Sequence, residues 1–136
     1  LISWANQGKP ILGICLGMQL FASISNENGY SNGLSLIPGE VKKIRLNHAH
    51  IGWNNINIRK NNNILQKYDK KNFYFCHNYF FKTEKKFIIS STEHTNIEIP
   101  SIVGKSNILG LQFHPEKSQR NGIDLIKDLL INFGQC

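Results

Sequence analysis

The chain lacks any apolar run approaching the roughly 20 residues that a bilayer span requires, so no segment reads as a membrane helix. No stretch has the pattern of a secretory signal either. Cysteine is scarce. Three in 136 residues, an odd number without disulfide-like spacing, argue against a stapled extracellular scaffold and for a reducing cytoplasm. Five histidines occur without ligand spacing such as H-x-x-x-H paired with carboxylates, so no metal is implied, and no cofactor is expected. Acidic residues are few, 9 against 16 Lys and Arg, for a net charge of +7. Such an excess would advertise a nucleic-acid partner if it formed a stripe. The lysines are instead scattered through a sequence rich in Asn and Ile, residues with A/T-rich codons, so the charge reads as surface solvation and no nucleic-acid partner is expected. Lys67, Lys70 and Lys71 form the one cluster that could face a protein partner. Internal repeats are absent, and low complexity is confined to "RKNNN" at 59–63, a loop.

What is present fits a single domain, because 136 residues can bury a real core. "LISWANQGK" reads as the end of a helix closing near Gly8, and because Leu1 is not an initiator methionine the chain is expected to begin in mid-fold. Pro10 opens a short apolar strand, Ile11 to Ile14, after which Gly17, Leu20, Phe21 and Ile24 recur at helical spacing. "NENGYSNGLSLIPGE", residues 26–40, carries three glycines and a proline and reads as a structured connection. Candidate strands follow at 40–45, 54–58, 73–77, 87–92, 98–103 and 108–113. A closing helix over 122–133 would bury a stripe of Ile123, Ile126, Leu129, Leu130 and Phe133. Helices at both ends with strands between give an α/β class with a central sheet.

Cys15 sits on the joint between the first strand and its helix. A side chain at such a turn is thrust out above the sheet edge, and free N–H groups at a helix start favour a thiolate. Gly13 and Gly17 flank it as G-x-C-x-G, the thiol counterpart of the G-x-S-x-G nucleophile elbow. A buried structural cysteine is the plainer alternative. A thiol nucleophile needs a base and an orienting group, and "LGLQFHPEKS", residues 109–118, offers both. Pro115 forces His114 into an extended conformation, in which His114 and Glu116 share a face and the carboxylate can set the imidazole's tautomer. That arrangement suits a Cys-His-acid triad.

"GICLGMQ" followed about a hundred residues later by "QFHPEKS" resembles the class I glutamine amidotransferases, whose Cys, His and Glu fall on Cys15, His114 and Glu116. Within that superfamily "GLSLIPGEV", "HIGWNNI" and "FYFCHNY" are similar to the glutaminase subunits of imidazole glycerol phosphate synthase. Relatives serving guanylate or anthranilate synthesis tend to carry a histidine in place of Met18. The resemblance implies a flavodoxin-like α/β fold with a central mixed sheet flanked by helices. It also implies that residues 1–136 form roughly the C-terminal two thirds of the amidotransferase domain, lacking its first strands and the second oxyanion donor they carry. The implied activity is hydrolysis of glutamine through a Cys15 thioester, with the N–H of Leu16 in the oxyanion hole. Gln19, His77, Asn78 and Tyr79 would lie beside the substrate. The implied partner is a (β/α)8 barrel cyclase that receives the ammonia and makes imidazole glycerol phosphate, with Trp53 and Asn54 at the interface. Ala49 and Asn78 depart from the family pattern, which has a proline and a small hydroxyl residue there. Plainer alternatives remain: Gln19 as a helix surface residue, His77 as a satisfied core histidine, Trp53 as a core aromatic, and Cys76 and Cys136 as structural cysteines. Two other functions also remain, ammonia supply for sugar amidation in surface-polysaccharide synthesis and a non-catalytic regulatory module of the same fold.

Overall fold

The computed structural model describes residues 1–45 and 48–133. Cys136 lies outside the described residues. Along the chain run α1 (Ile2–Asn6), β1 (Ile11–Ile14), α2 (Leu16–Gln19), β2 (Ile24–Ser25), β3 (Ser31–Asn32), β4 (Gly39–Lys43), β5 (His50–Asn55), β6 (Asn57–Ile58), β7 (Asn72–His77), β8 (Tyr79–Thr83), β9 (Ile88–His94), β10 (Ile97–Lys105), β11 (Ile108–Leu111) and α3 (Gln119–Asn132). Among the described residues no helix is long and apolar enough to cross a membrane.

The apolar sequences ILGI and ILGL pair in parallel as β1 and β11, with Ile11 opposite Ile108 and Ile14 opposite Leu111. All of β11 is buried, as a strand covered on both faces must be. Ile108 packs with Met18, Phe21 and Val103 on one side. Leu109 and Leu111 pack with Phe73, Phe113, Leu125 and Leu129 on the other. Antiparallel β10, β9 and β6 complete this mixed sheet in the order β1-β11-β10-β9-β6. Pro100 stands inside β10 where the register to β9 shifts, the bulge absorbing the donor that proline lacks. Two smaller sheets, β3-β2-β4-β8 and β5-β7, lie alongside, so the strands are divided where a single sheet was expected.

Several local readings are corrected. The helical spacing after Cys15 extends only to Gln19, and Ile24 belongs to β2. The Phe21 carbonyl accepts from the N–H groups of Leu36 and Ile37, and that of Ala22 from Ser35, so loop donors capture the acceptors that further helix would use. The strand read at 54–58 is two. Ile56, fully buried, interrupts it by bonding through its backbone to Lys70 and Lys71. The strand read at 73–77 is β7, paired to β5, and a further strand that the sequence reading did not offer, β8, follows Asn78 and pairs with β4. On α3 the buried face is Gly122, Leu125 and Leu129, while Ile123 and Leu130 are exposed, so the apolar stripe is rotated from the one expected. Within the lysine cluster, Lys67 pairs with Asp128 of α3 at 2.7 Å and Lys70 bonds to Asn57.

Candidate active site

The parallel strands β1 and β11 end side by side, and ligands in open α/β sheets lie beyond such carboxyl ends. The N–H of Cys15 continues the ladder by donating to the Leu111 carbonyl at 2.7 Å. From there the chain must turn sharply into α2. Cys15 makes that turn at φ 51° and ψ −106°, a conformation in which a Cβ is strained and which the surrounding pairing must hold. Room for the turn comes from one neighbour. A Cβ on Gly13 would meet the Phe21 ring and the Gly17 backbone at under 3 Å, whereas one on Gly17 would meet open space. The symmetry of G-x-C-x-G in sequence is therefore not a symmetry of function in the turn.

The Cys76 thiol is free and exposed; that of Cys15 is free and half-buried. Burial raises its pKa, and the Cys76 thiol and the Glu116 carboxylate add to the rise; the facing N–H of Leu16 and the Gln112 side chain pull against it, and the net shift is upward. This corrects the expectation of a thiol lowered by a helix start. A four-residue α2 offers little macrodipole, and desolvation outweighs the donors.

His114 follows β11 in extended conformation, φ −98° and ψ 96°, with Pro115 opening a single turn of 3-10 helix. Its N–H donates to the Tyr74 carbonyl at 2.8 Å, tying the turn to β7. Ser118 strengthens that tie: its hydroxyl donates to the His114 carbonyl at 2.6 Å and accepts from the Tyr74 N–H at 2.9 Å. His114 Nδ1 lies 2.6 Å from Glu116 Oε1. A carboxylate only accepts, so Nδ1 carries a proton and Nε2 is the ring's free end. The strand ladder thus brings Cys15, Leu16, His114 and Glu116 to one sheet edge.

Gln19 is buried, not on a helix surface, and its Nε2 donates to the Tyr79 carbonyl at 3.0 Å and to Gln112 Oε1 at 3.2 Å. His77 is buried with both ring nitrogens engaged. Its Nδ1 lies 2.7 Å from the Tyr79 carbonyl, which can only accept, so Nδ1 is protonated and Nε2 accepts from His50 Nδ1 at 3.0 Å. His50 Nε2 in turn accepts from Asn54 Nδ2 at 3.1 Å, which also donates to the Glu93 carbonyl at 2.7 Å. The side chain of His77 is thereby held inside the protein, and that of half-buried Asn54 is tied to His50 and the Glu93 carbonyl. Asn78 is exposed, and its carbonyl accepts from Ile44. Trp53 is about half exposed (49%), edge-on to Tyr74 across the β5-β7 pair, and so is not a core aromatic. Cys76, expected to be structural, is exposed, and its carbonyl lies 3.9 Å from the Cys15 sulfur.

Sequence reasoning missed Gln112 and His50. Gln112 is fully buried with Nε2 3.7 Å from the Cys15 sulfur. The signal was a polar amide continuing an otherwise apolar strand.

Residues 1–133 match the family described as glutamine amidotransferase class-I. The chain is 41% identical over 124 residues to the imidazole glycerol phosphate synthase subunit HisH of Listeria monocytogenes, covering 88% of this chain and 59% of that protein. It is 40% identical over 134 residues to the HisH subunit of Halalkalibacterium halodurans, covering 92% and 63%. The chain therefore spans about 60% of the length of these curated relatives. In fold it is similar to PurLQS from Thermotoga maritima, with a TM-score of 0.73, 17% identity and coverage of 96% of this chain and 65% of that one. It is similar also to a glutamine amidotransferase from the same organism, with a TM-score of 0.67, 20% identity and coverage of 96% and 51%. The chain belongs to the class I glutamine amidotransferase family.

Proposed function

We propose that this chain carries the catalytic edge of a glutaminase subunit that supplies ammonia to a (β/α)8 barrel cyclase making imidazole glycerol phosphate in cytoplasmic histidine biosynthesis. One observation carries the reading: a strained Cys15 turn and a hydrogen-bonded His114–Glu116 pair share the carboxyl edge of β1 and β11. The names of the relatives support the pathway.

Because its pKa is raised, the thiol rests protonated, and the nucleophile is made on demand. His114 Nε2 takes the thiol proton as Cys15 sulfur attacks the side-chain carbonyl carbon of glutamine. Negative charge develops on the carbonyl oxygen, toward which the Leu16 N–H donates. Collapse breaks the C–N bond, and His114 returns the proton to the leaving nitrogen, giving ammonia and a glutamyl thioester. Water then attacks the thioester, losing a proton to the same imidazole. Glutamate leaves, and the proton returns to Cys15. Throughout, Glu116 fixes the tautomer and balances the imidazolium charge. Trp53, exposed on β5, is the aromatic anchor we assign to the barrel partner.

The test is co-purification of the protein with its barrel partner, measurement of glutamate release, and identification of the ammonia acceptor by mass spectrometry. Glutamate release abolished by Cys15→Ala, with a glutamine-mimicking electrophile labelling Cys15 and not Cys76, is expected. An acceptor bearing a sugar carboxylate would reassign the pathway, and labelling confined to Cys76 would remove Cys15 from the mechanism.

A further inference from the structure

Gln112 has a carboxamide that is completely buried, so each of its ends must find a partner. The network around it determines which end is which. The Tyr79 carbonyl can only accept, so the Gln19 group facing it at 3.0 Å is the amide nitrogen. That nitrogen also faces Gln112 at 3.2 Å, so the Gln112 atom there is the oxygen. The Gln112 nitrogen is consequently the atom turned to the Cys15 sulfur at 3.7 Å. Backbone pairing holds both partners: Gln112 N–H donates to the Ser101 carbonyl at 2.9 Å, and Cys15 N–H to the Leu111 carbonyl at 2.7 Å.

We propose that Gln112 is the sulfur's dedicated hydrogen-bond donor, locked in that orientation by Gln19, and that it favours the thiolate throughout the reaction. The inference rests on the reading of Cys15 as nucleophile. An N–H aimed at sulfur stabilises the anion more than the thiol. Two donors face this sulfur, Leu16 N–H and Gln112, against burial, the Cys76 thiol and the Glu116 carboxylate. Leu16 N–H is also the donor assigned to the developing oxyanion, so it turns from the sulfur as attack proceeds. Among the described residues the Gln112 amide nitrogen has no acceptor but this sulfur, and its oxygen end is held by Gln19. Division of the two tasks between Leu16 and Gln112 keeps the leaving thiolate of the deacylation step stabilised while the oxyanion is held.

The test follows alkylation by iodoacetamide against pH in the whole protein, without glutamine, each cysteine resolved by mass spectrometry. The Cys15 thiolate displaces iodide and forms a thioether, so its rate reports the thiolate fraction. In Gln112→Met, which preserves length and removes the donor, the Cys15 profile should move up by about one pH unit, making alkylation about tenfold slower at neutral pH. The Cys76 rate should be unchanged. A folded Gln112→Met protein with the parent's Cys15 profile overturns the proposal, since a merely structural amide would alter stability and not this titration. If Gln112→Met does not fold, the Gln112 side-chain 15N resonance of the parent is followed through the Cys15 titration. Movement with the same midpoint supports the proposal, and a resonance indifferent to that titration overturns it. Because no glutamine is present, a shifted profile in a protein that releases no glutamate would leave Gln112 in place and refute the glutaminase reading alone.

Discussion

Acidification from pH 7.5 to 5.5 acts on a pair of imidazoles buried between β5 and β7. His50 and His77 are 3% and 7% exposed, and the pair is wired as Asn54 N–H to His50, His50 N–H to His77, and His77 N–H to the Tyr79 carbonyl. A proton added to either ring sets two N–H groups against each other, since Asn54 Nδ2 is held as donor by the Glu93 carbonyl. Desolvation, and for His50 also the facing His77 and His94 rings, lowers His50 to about 3. Desolvation, opposed by the Tyr79 carbonyl and assisted by His94 and His114, lowers His77 to about 4. The sign follows directly. Above pH 6.5 both rings are neutral folded and unfolded; below it only the unfolded chain takes up protons, so stability falls from there toward pH 3–4. One pH unit below 6.5, each unfolded imidazole gains about 1.4 kcal/mol, so the pair removes roughly 2–3 kcal/mol over this interval, before carboxylates titrate. Urea midpoints at fixed ionic strength, read by tryptophan fluorescence, measure it. His50→Gln retains a hydrogen-bonding amide and removes one titrating group, while His94 and His114 remain. The loss on acidification should shrink by about 1.4 kcal/mol. A His50→Gln protein that loses as much stability as the parent would show that His50 is not held neutral by the fold.

Three further outcomes are expected. Cys15→Gly should be more stable than Cys15→Ala by about 1 kcal/mol in urea titration, because both lose the sulfur and only alanine retains a Cβ at φ 51°; equal stability would mean that the turn is unstrained. A Cβ at Gly122 would lie 1.8 Å from the Pro115 carbonyl oxygen, so Gly122→Ala should cost about 1–3 kcal/mol and slow glutamate release by displacing the turn that carries Glu116. A crystal structure of this variant with that turn unmoved would refute the account. Glu116→Gln should retain more turnover than His114→Ala, since an orienting group is easier to lose than a proton carrier, and steady-state glutamate release from His114→Ala equal to the parent's would exclude His114.

Chemistry written in short segments was legible in the sequence. Ile11–Ile14 announces itself as a buried strand, and Cys15 follows it without intervening choice. Pro115 holds His114 extended, as expected, but Glu116 reaches its imidazole from the 3-10 turn that Pro115 opens and not from an extended segment. What escaped depends on partners distant in sequence. The helical spacing past Gln19 is real, yet it is overruled by N–H groups from residues 33–37, whose approach no local pattern encodes. β8 is hidden because the single residue Asn78 separates it from β7, and only pairing with a different sheet makes it a strand of its own. Gln112 acquires meaning through a contact 97 residues away, created when β1 and β11 pair in register.

The thiol's acidity runs against what a helix start would give it. An activated thiolate at a helix start presumes a helix long enough to present several free N–H groups and a terminus open to water. Here α2 is one turn, Leu16 supplies the one backbone N–H that acts on the sulfur, and burial is the larger influence. A nucleophile so placed is not charged in wait for any electrophile. In the proposed mechanism His114 must deprotonate it, which makes the His114–Glu116 pair, and not the turn, the feature on which reactivity would depend. Loss of the Glu116 carboxylate therefore acts in two opposing directions: it frees the His114 tautomer, and it removes an anion that raises the Cys15 pKa. Glu116→Gln should accordingly lower glutamate release while speeding simple alkylation of Cys15. A variant in which both rates fall together would show that the carboxylate acts on the sulfur and the imidazole through one shared structural effect.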